Sequence, residues 1–279
     1  MLRRFFCALT ALFCLTGSVP VPSASAEAEI PLPILMYHDV KESKPGKDSV
    51  TPAELESDLR WLRSNGYTPV TLRQVIAYVY EGAALPEKPV VLSFDDGLRS
   101  VYTTAAPILA RYDAPFVLAP IGRSADEFSA LPDENPRYAH ATWAQLLELR
   151  QRGLAEIQNH SYDLHHDSGG VLGCARKSGE SGADYALRLA EDVTKMQERV
   201  YAELGTSPTA FVYPYGKYSD LSEGVLRELG FRASLTCDFG MNLLTRDPDC
   251  LLGMKRICRS HGASLAALLT QANESLKWR

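Results

Sequence analysis

Apolar residues along this chain come in short, nearly unbroken runs separated by stretches with helical spacing. Pro89 to Phe94 is such a run, ended by Asp95, Asp96 and Gly97, and it predicts a strand buried on both faces. Similar runs predict strands at Pro31 to Tyr37, Thr68 to Val70, Pro115 to Ala119, Leu154 to Asn159, Ala210 to Tyr213, Phe231 to Leu235 and Lys255 to Cys258. Between them, Thr51 to Asn65 predicts a helix: Thr51 caps it, Pro52 takes the first turn, Glu54 completes a capping box, and Leu55, Leu59 and Leu62 form its stripe before Gly66. Helices are expected at Thr71 to Glu81, Ser100 to Arg111, Thr142 to Arg152, Ala183 to Leu204, Asp220 to Leu229 and Ser264 to Leu276. In the longest, Leu187, Ala190, Val193, Met196 and Val200 mark a buried face. Long loops are expected at Ile121 to Ala141 and His166 to Gly182, as walls of a cleft.

Strands alternating with helices imply parallel βαβ units. Seven or eight such strands argue for an α/β fold closed into a distorted (β/α)7-8 barrel, whose active site would gather at the C-terminal strand ends. At the N-terminus, Arg3 and Arg4 precede an apolar stretch from Phe5 to Leu15, and Ala24-Ser25-Ala26 offers small residues for cleavage. Residues 1–26 therefore read as a signal peptide for export to the extracellular space, cell envelope or periplasm, with one catalytic domain over 27–279. The apolar core is short for a spanning helix, so no stable membrane insertion is expected after cleavage. Loss of the two arginines takes the formal charge from −5 to −7. No basic block remains, which argues against a nucleic-acid partner. Cys174, Cys237, Cys250 and Cys258 remain, and export would allow them to pair, with connectivity open.

Three strand ends carry candidate chemistry: Asp95-Asp96, the segment Asn159-His160-Ser161-Tyr162-Asp163-Leu164-His165, and Tyr213-Pro214-Tyr215-Gly216. Two neighbouring carboxylates are costly to bury unpaired, so a cation is expected beside them. Imidazole and carboxylate ligands suit a divalent metal, with zinc first and cobalt or nickel as alternatives. His166 is an alternative to His165. His140 is expected to be structural.

Together, Ser93-Phe94-Asp95-Asp96-Gly97, the His160 to His165 pair and the Tyr213 to Gly216 turn resemble the polysaccharide deacetylase family of the NodB-homology fold, over residues 31 to 270. The five-residue histidine spacing and the opening Leu35-Met36-Tyr37-His38-Asp39-Val40 resemble the branch of poly-β-1,6-N-acetylglucosamine deacetylases. The resemblance implies metal-dependent removal of N-acetyl groups from an acetylated glycan, with Asp95 as base and Asp96, His160 and His165 as metal ligands. It also implies His261 as the leaving-group acid and the Tyr215 N–H as an oxyanion donor. His38, Trp143, Tyr162, Tyr213, Pro214 and Tyr215 are the expected substrate contacts. The chain departs from the family where an arginine usually precedes the Pro-aromatic-Gly turn: Thr209 and Ala210 stand there, and Arg256 is a candidate replacement. An O-acetyl carbohydrate esterase and a catalytically silent carbohydrate-binding protein are the competing expectations.

Overall fold

A computed structural model of the protein describes residues 29–43, 45–168 and 171–278. The signal-peptide assignment, residues 1–26, therefore lies outside the described residues. Eight strands form one sheet: β1 (Ile34–Tyr37), β2 (Thr68–Pro69), β3 (Pro89–Asp96), β4 (Phe116–Pro120), β5 (Ala155–Ile157), β6 (Ala210–Val212), β7 (Ala233–Phe239) and β8 (Met254–Cys258). Their order is β6-β7-β8-β1-β3-β4-β5, with β2 beside β3, and every pairing is parallel. The curled sheet nearly closes, because a single bridge between Asn159 and Phe211 joins its two edges, with the Val212 N–H donating to Asn159 O at 2.8 Å.

The helices are α1 (Pro52–Ser64), α2 (Leu72–Glu81), α3 (Ala106–Arg111), α4 (Gly122–Ala130), α5 (Trp143–Gln151), α6 (Gly182–Leu204), α7 (Ser222–Glu228) and α8 (Leu265–Glu274). The Thr51–Glu54 capping box is present, and Thr71 with Gln74 and Thr142 with Gln145 repeat it. Three expected elements differ. The first strand is split into Ile30–Leu32 and β1 by Pro33, which has no N–H to give a ladder. The helix from Ser100 opens with a π-type turn at Val101–Ala105, where the Ala106 N–H donates to Val101 O and Pro107 next in line donates nothing. The expected loop at Ile121 to Ala141 contains α4, whose apolar stripe is too sparse to read locally.

Strand alternation sorts the core into two layers. Ile34, Val91, Val117, Ala119, Val212, Leu235 and Met254 form one cluster with Val75, Ile76 and Val79 of α2. Leu35, Tyr37, Leu92, Phe94, Phe116, Leu118 and Ile257 alternate with them and pack among α1, α3 and α5. Ser93 and Asp95 share the parity of Val91, and Arg256 that of Met254, so these polar side chains continue the first layer towards the C-terminal strand ends. No helix among the described residues is long and apolar enough to cross a membrane.

Candidate active site

Asp95 and Asp96 end β3 and both line one cleft, and the chain leaves through Gly97. Asp96 itself has φ +66°, and a Cβ on Gly97 would lie 2.6 Å from the Pro120 Cβ. Of the four described non-glycine residues with positive φ, three are Asp96, Ser161 and Tyr215, one at each strand-end motif. Such conformations are held only where the surroundings over-determine them, and they gather at functional sites.

Asp95 is buried and held from both sides by Arg256: Nη1 donates to Oδ1 at 2.7 Å and Nη2 to Oδ2 at 2.8 Å. Arg256 is fully buried and also donates through Nε to Thr236 O at 2.6 Å. Burial by itself would raise the Asp95 carboxyl, but the guanidinium outweighs it and holds the group below the usual carboxylate range. His38 approaches the same carboxylate, with Nε2 3.9 Å from Oδ2.

Asp96 faces the two histidines, its Oδ1 3.4 Å from His160 Nε2 and 3.2 Å from His165 Nε2. The three ligand atoms all lie within 4.8 Å of one another. His160 Nδ1 lies 2.7 Å from Val212 O, which fixes the ring with Nδ1–H donating and Nε2 free to ligate. His165 stacks on Tyr215, centroids 4.2 Å apart. Asp96 Oδ1 is buried and yet makes no hydrogen bond, an orphaned acceptor among ring nitrogens. A bound cation would satisfy it, and one carboxylate with two imidazoles is a donor set suited to a divalent metal. Burial opposes ionisation of Asp96, but the facing imidazoles outweigh it and keep its carboxyl well below the ordinary range; Asp96 in turn raises His165 against the effect of burial.

These groups line a cleft of about 440 Å³ with His38, Asp39, Lys41, Lys47, Asp48, Arg137, Tyr215 and Cys237 among its walls. Several expected contacts are elsewhere. His261 is half-exposed on the surface with Nδ1 2.9 Å from Glu54 Oε2 at the start of α1, so the loop after β8 carries it away from the cleft. Tyr213 is fully buried with its hydroxyl on Glu223, and Pro214 is buried beside it. Trp143 and Tyr162 both donate to Asp126, Trp143 through Nε1 at 2.7 Å and Tyr162 through its hydroxyl at 3.0 Å, and neither lines the cleft. Of the six expected substrate contacts, His38 and Tyr215 line it. His140, with Nδ1 2.9 Å from Tyr138 O, is lowered by burial and stands outside the wall. All four described cysteines are unpaired, and Cys237 touches Arg256 and Met36.

The wall residues Lys41, Lys47, Asp48 and Arg137 went unnoticed in the sequence. They sit in polar loops without periodicity, where only the fold brings them to the cleft.

Residues 82–234 match the family model described as polysaccharide deacetylase. The chain is 32% identical over 247 residues to the poly-beta-1,6-N-acetyl-D-glucosamine N-deacetylase of Escherichia coli strain K12, covering 80% of this chain and 37% of that protein. It thus spans little more than a third of that relative. Among solved structures, a de-N-acetylase from Aggregatibacter actinomycetemcomitans superposes with a TM-score of 0.72 at 27% identity, covering 86% of this chain and 99% of the other. IcaB from Ammonifex degensii shares the fold, with a TM-score of 0.70 at 24% identity over 88% of this chain and 96% of the other.

Proposed function

The chain belongs to the polysaccharide deacetylase family, and from that premise we propose that it is an exported, metal-dependent deacetylase of N-acetylglucosamine-containing polysaccharide. The observation that carries this is one carboxylate clamped by a buried arginine beside a second that faces two imidazoles in the same cleft. The names of the E. coli and Aggregatibacter proteins support the amide, and the glycan, as substrate. Export rests on the sequence of residues 1–26.

Asp96, His160 and His165 would hold the cation, zinc being the first choice. When bound, it lowers the pKa of a water and polarises the acetyl carbonyl. Asp95, unligated beside that site, would accept a proton from the attacking water. Arg256 occupies one lone-pair direction on each Asp95 oxygen and keeps the carboxylate ionised, so the base is oriented and ready. The Tyr215 N–H, on a turn held at φ +56°, is the donor assigned to the oxyanion. Protonation of the leaving amine falls to His38, the remaining imidazole of the cleft, 3.9 Å from the base. His261 takes no part.

The test is acetate release from N-acetylglucosamine oligomers, with acetylated xylan alongside, by zinc-reconstituted protein. Asp95→Asn should bind zinc and lose turnover, while His160→Ala should bind zinc weakly. His38→Gln should lose about 10²–10⁴-fold in kcat, the range for a general acid, and His261→Gln should lose little. Normal turnover by Asp95→Asn would refute the assigned base, and release from xylan alone would make the protein an O-acetyl esterase.

A further inference from the structure

The catalytic cleft does not end at the metal ligands. A second groove of about 550 Å³ adjoins it, and Asp39, Lys41, Leu98 and Arg137 line both, so the two form one continuous depression. Each lies within the roughly 300–1,000 Å³ of ordinary ligand sites. Ser100, Thr103 and Thr104 bring hydroxyls to the outer part, and Leu98 brings an apolar surface.

The charges along this wall are mostly cancelled. Asp39 pairs with Lys41 at 2.7 Å and accepts from the Ser100 hydroxyl at 2.6 Å, and Glu134 pairs with Arg99 at 2.6 Å. Such a lining suits a neutral, hydroxyl-rich chain. The Arg137 guanidinium has no ion pair or hydrogen bond among the described residues, although it stands at the junction of the two grooves. Glu42 is also unpaired there but lines the outer groove alone. A guanidinium at the junction offers N–H donors to an acetamide carbonyl and repels an ammonium.

We propose that the glycan runs from the catalytic cleft into this outer groove, and that Arg137 selects a neighbouring sugar that still carries its acetyl group over one already deacetylated. This rests on the deacetylase reading of the cleft. Deacetylation converts a neutral unit into a cation, so each product would disfavour reaction at its neighbour. The enzyme would thereby leave a partly acetylated chain without any outside control.

The experiment compares three substrates: a small chromogenic acetate ester, a fully acetylated β-1,6-linked N-acetylglucosamine pentamer, and a pentamer with glucosamine beside the reacting unit. Pentamer binding to the protein as purified is measured by calorimetry. Wild type should favour the acetylated neighbour about tenfold in kcat/KM, through KM. Arg137→Glu should reverse that preference and weaken binding of the acetylated pentamer. Thr103→Trp, placed in the outer groove alone, should depress the pentamer rate far more than the ester rate. Loss on ester and pentamer in parallel, or an unchanged neighbour preference in Arg137→Glu, would overturn the groove assignment and leave the deacetylase intact. Arg137-dependent pentamer binding without acetate release from any substrate would uphold the groove and sink the deacetylase reading.

Discussion

Replacing Arg256 by methionine would remove the cation from a buried carboxylate. Asp95 is 2% exposed and Arg256 0%, and two charge-assisted hydrogen bonds at 2.7 and 2.8 Å join them. Breaking such a pair from one side costs about 3–5 kcal/mol, because the other charge stays buried without compensation. The carbonyl of Thr236 loses its Nε donor at the same time. In a domain of this size about 1 kcal/mol corresponds to roughly 2–4 °C, so Tm should fall by about 6–20 °C. Thermal unfolding followed by circular dichroism, with a chelator present throughout, reads this without any contribution from metal. The double variant Asp95→Leu/Arg256→Met removes both charges and should recover much of the loss, since an apolar pair of similar volume often replaces a buried ion pair at little cost. The coupling energy of the cycle should therefore exceed about 2 kcal/mol. A fall of under 2–3 °C in the single variant, less than about 1 kcal/mol, or a double variant as unstable as the two singles together, would refute the argument that Arg256 chiefly neutralises Asp95.

Gly216→Ala should destabilise by about 1–3 kcal/mol in urea unfolding, because Gly216 has φ +63° and its new Cβ would meet Cys237 Cβ at 2.6 Å. Catalysis should suffer too, through the adjoining Tyr215. Glu54 accepts from the backbone of Thr51 and Gly262 and faces His261. Burial works against its ionisation, but these bonds prevail and lower its pKa from 4.5 to about 2. A depressed acid stabilises above its unfolded pKa, so this contribution is complete above about pH 4.5 and fades as pH falls towards about 2. Glu54→Gln should flatten the loss of Tm across that window; an identical acid limb in variant and wild type would contradict the assignment.

Much of the site was legible because its residues sit at strand ends. Asp95, Asp96, His160 and His165 follow buried apolar runs, and in a parallel sheet the ends of successive strands must meet at one edge. The Thr51 capping box was equally local, since its donors and acceptors lie three residues apart. Arg256 could be named from the sequence as a candidate, but its contact with Asp95 spans 161 positions. His261 was misplaced for the opposite reason: its position in the chain suited an acid, while the loop after β8 turns it onto Glu54. Tyr213, Trp143 and Tyr162 were misjudged because an aromatic beside a motif looks the same whether it faces sugar or core. Their hydroxyl and indole groups found Glu223 and Asp126 instead.

The sequence alone determined the alternation of strand and helix and the placing of Asp95, Asp96, His160 and His165 at strand ends, because periodicity, caps and turns act within a few residues. Tertiary structure decided which arginine clamps Asp95, which histidine stands beside it, and that the four described cysteines are unpaired. It also decided that Arg137 joins Lys41, Gly46, Lys47, Asp48 and Ser49 in walling the cleft. Those outcomes depend on curling the sheet until distant strand ends share one mouth, and the direction of a side chain there is set by neighbours hundreds of atoms away along the chain.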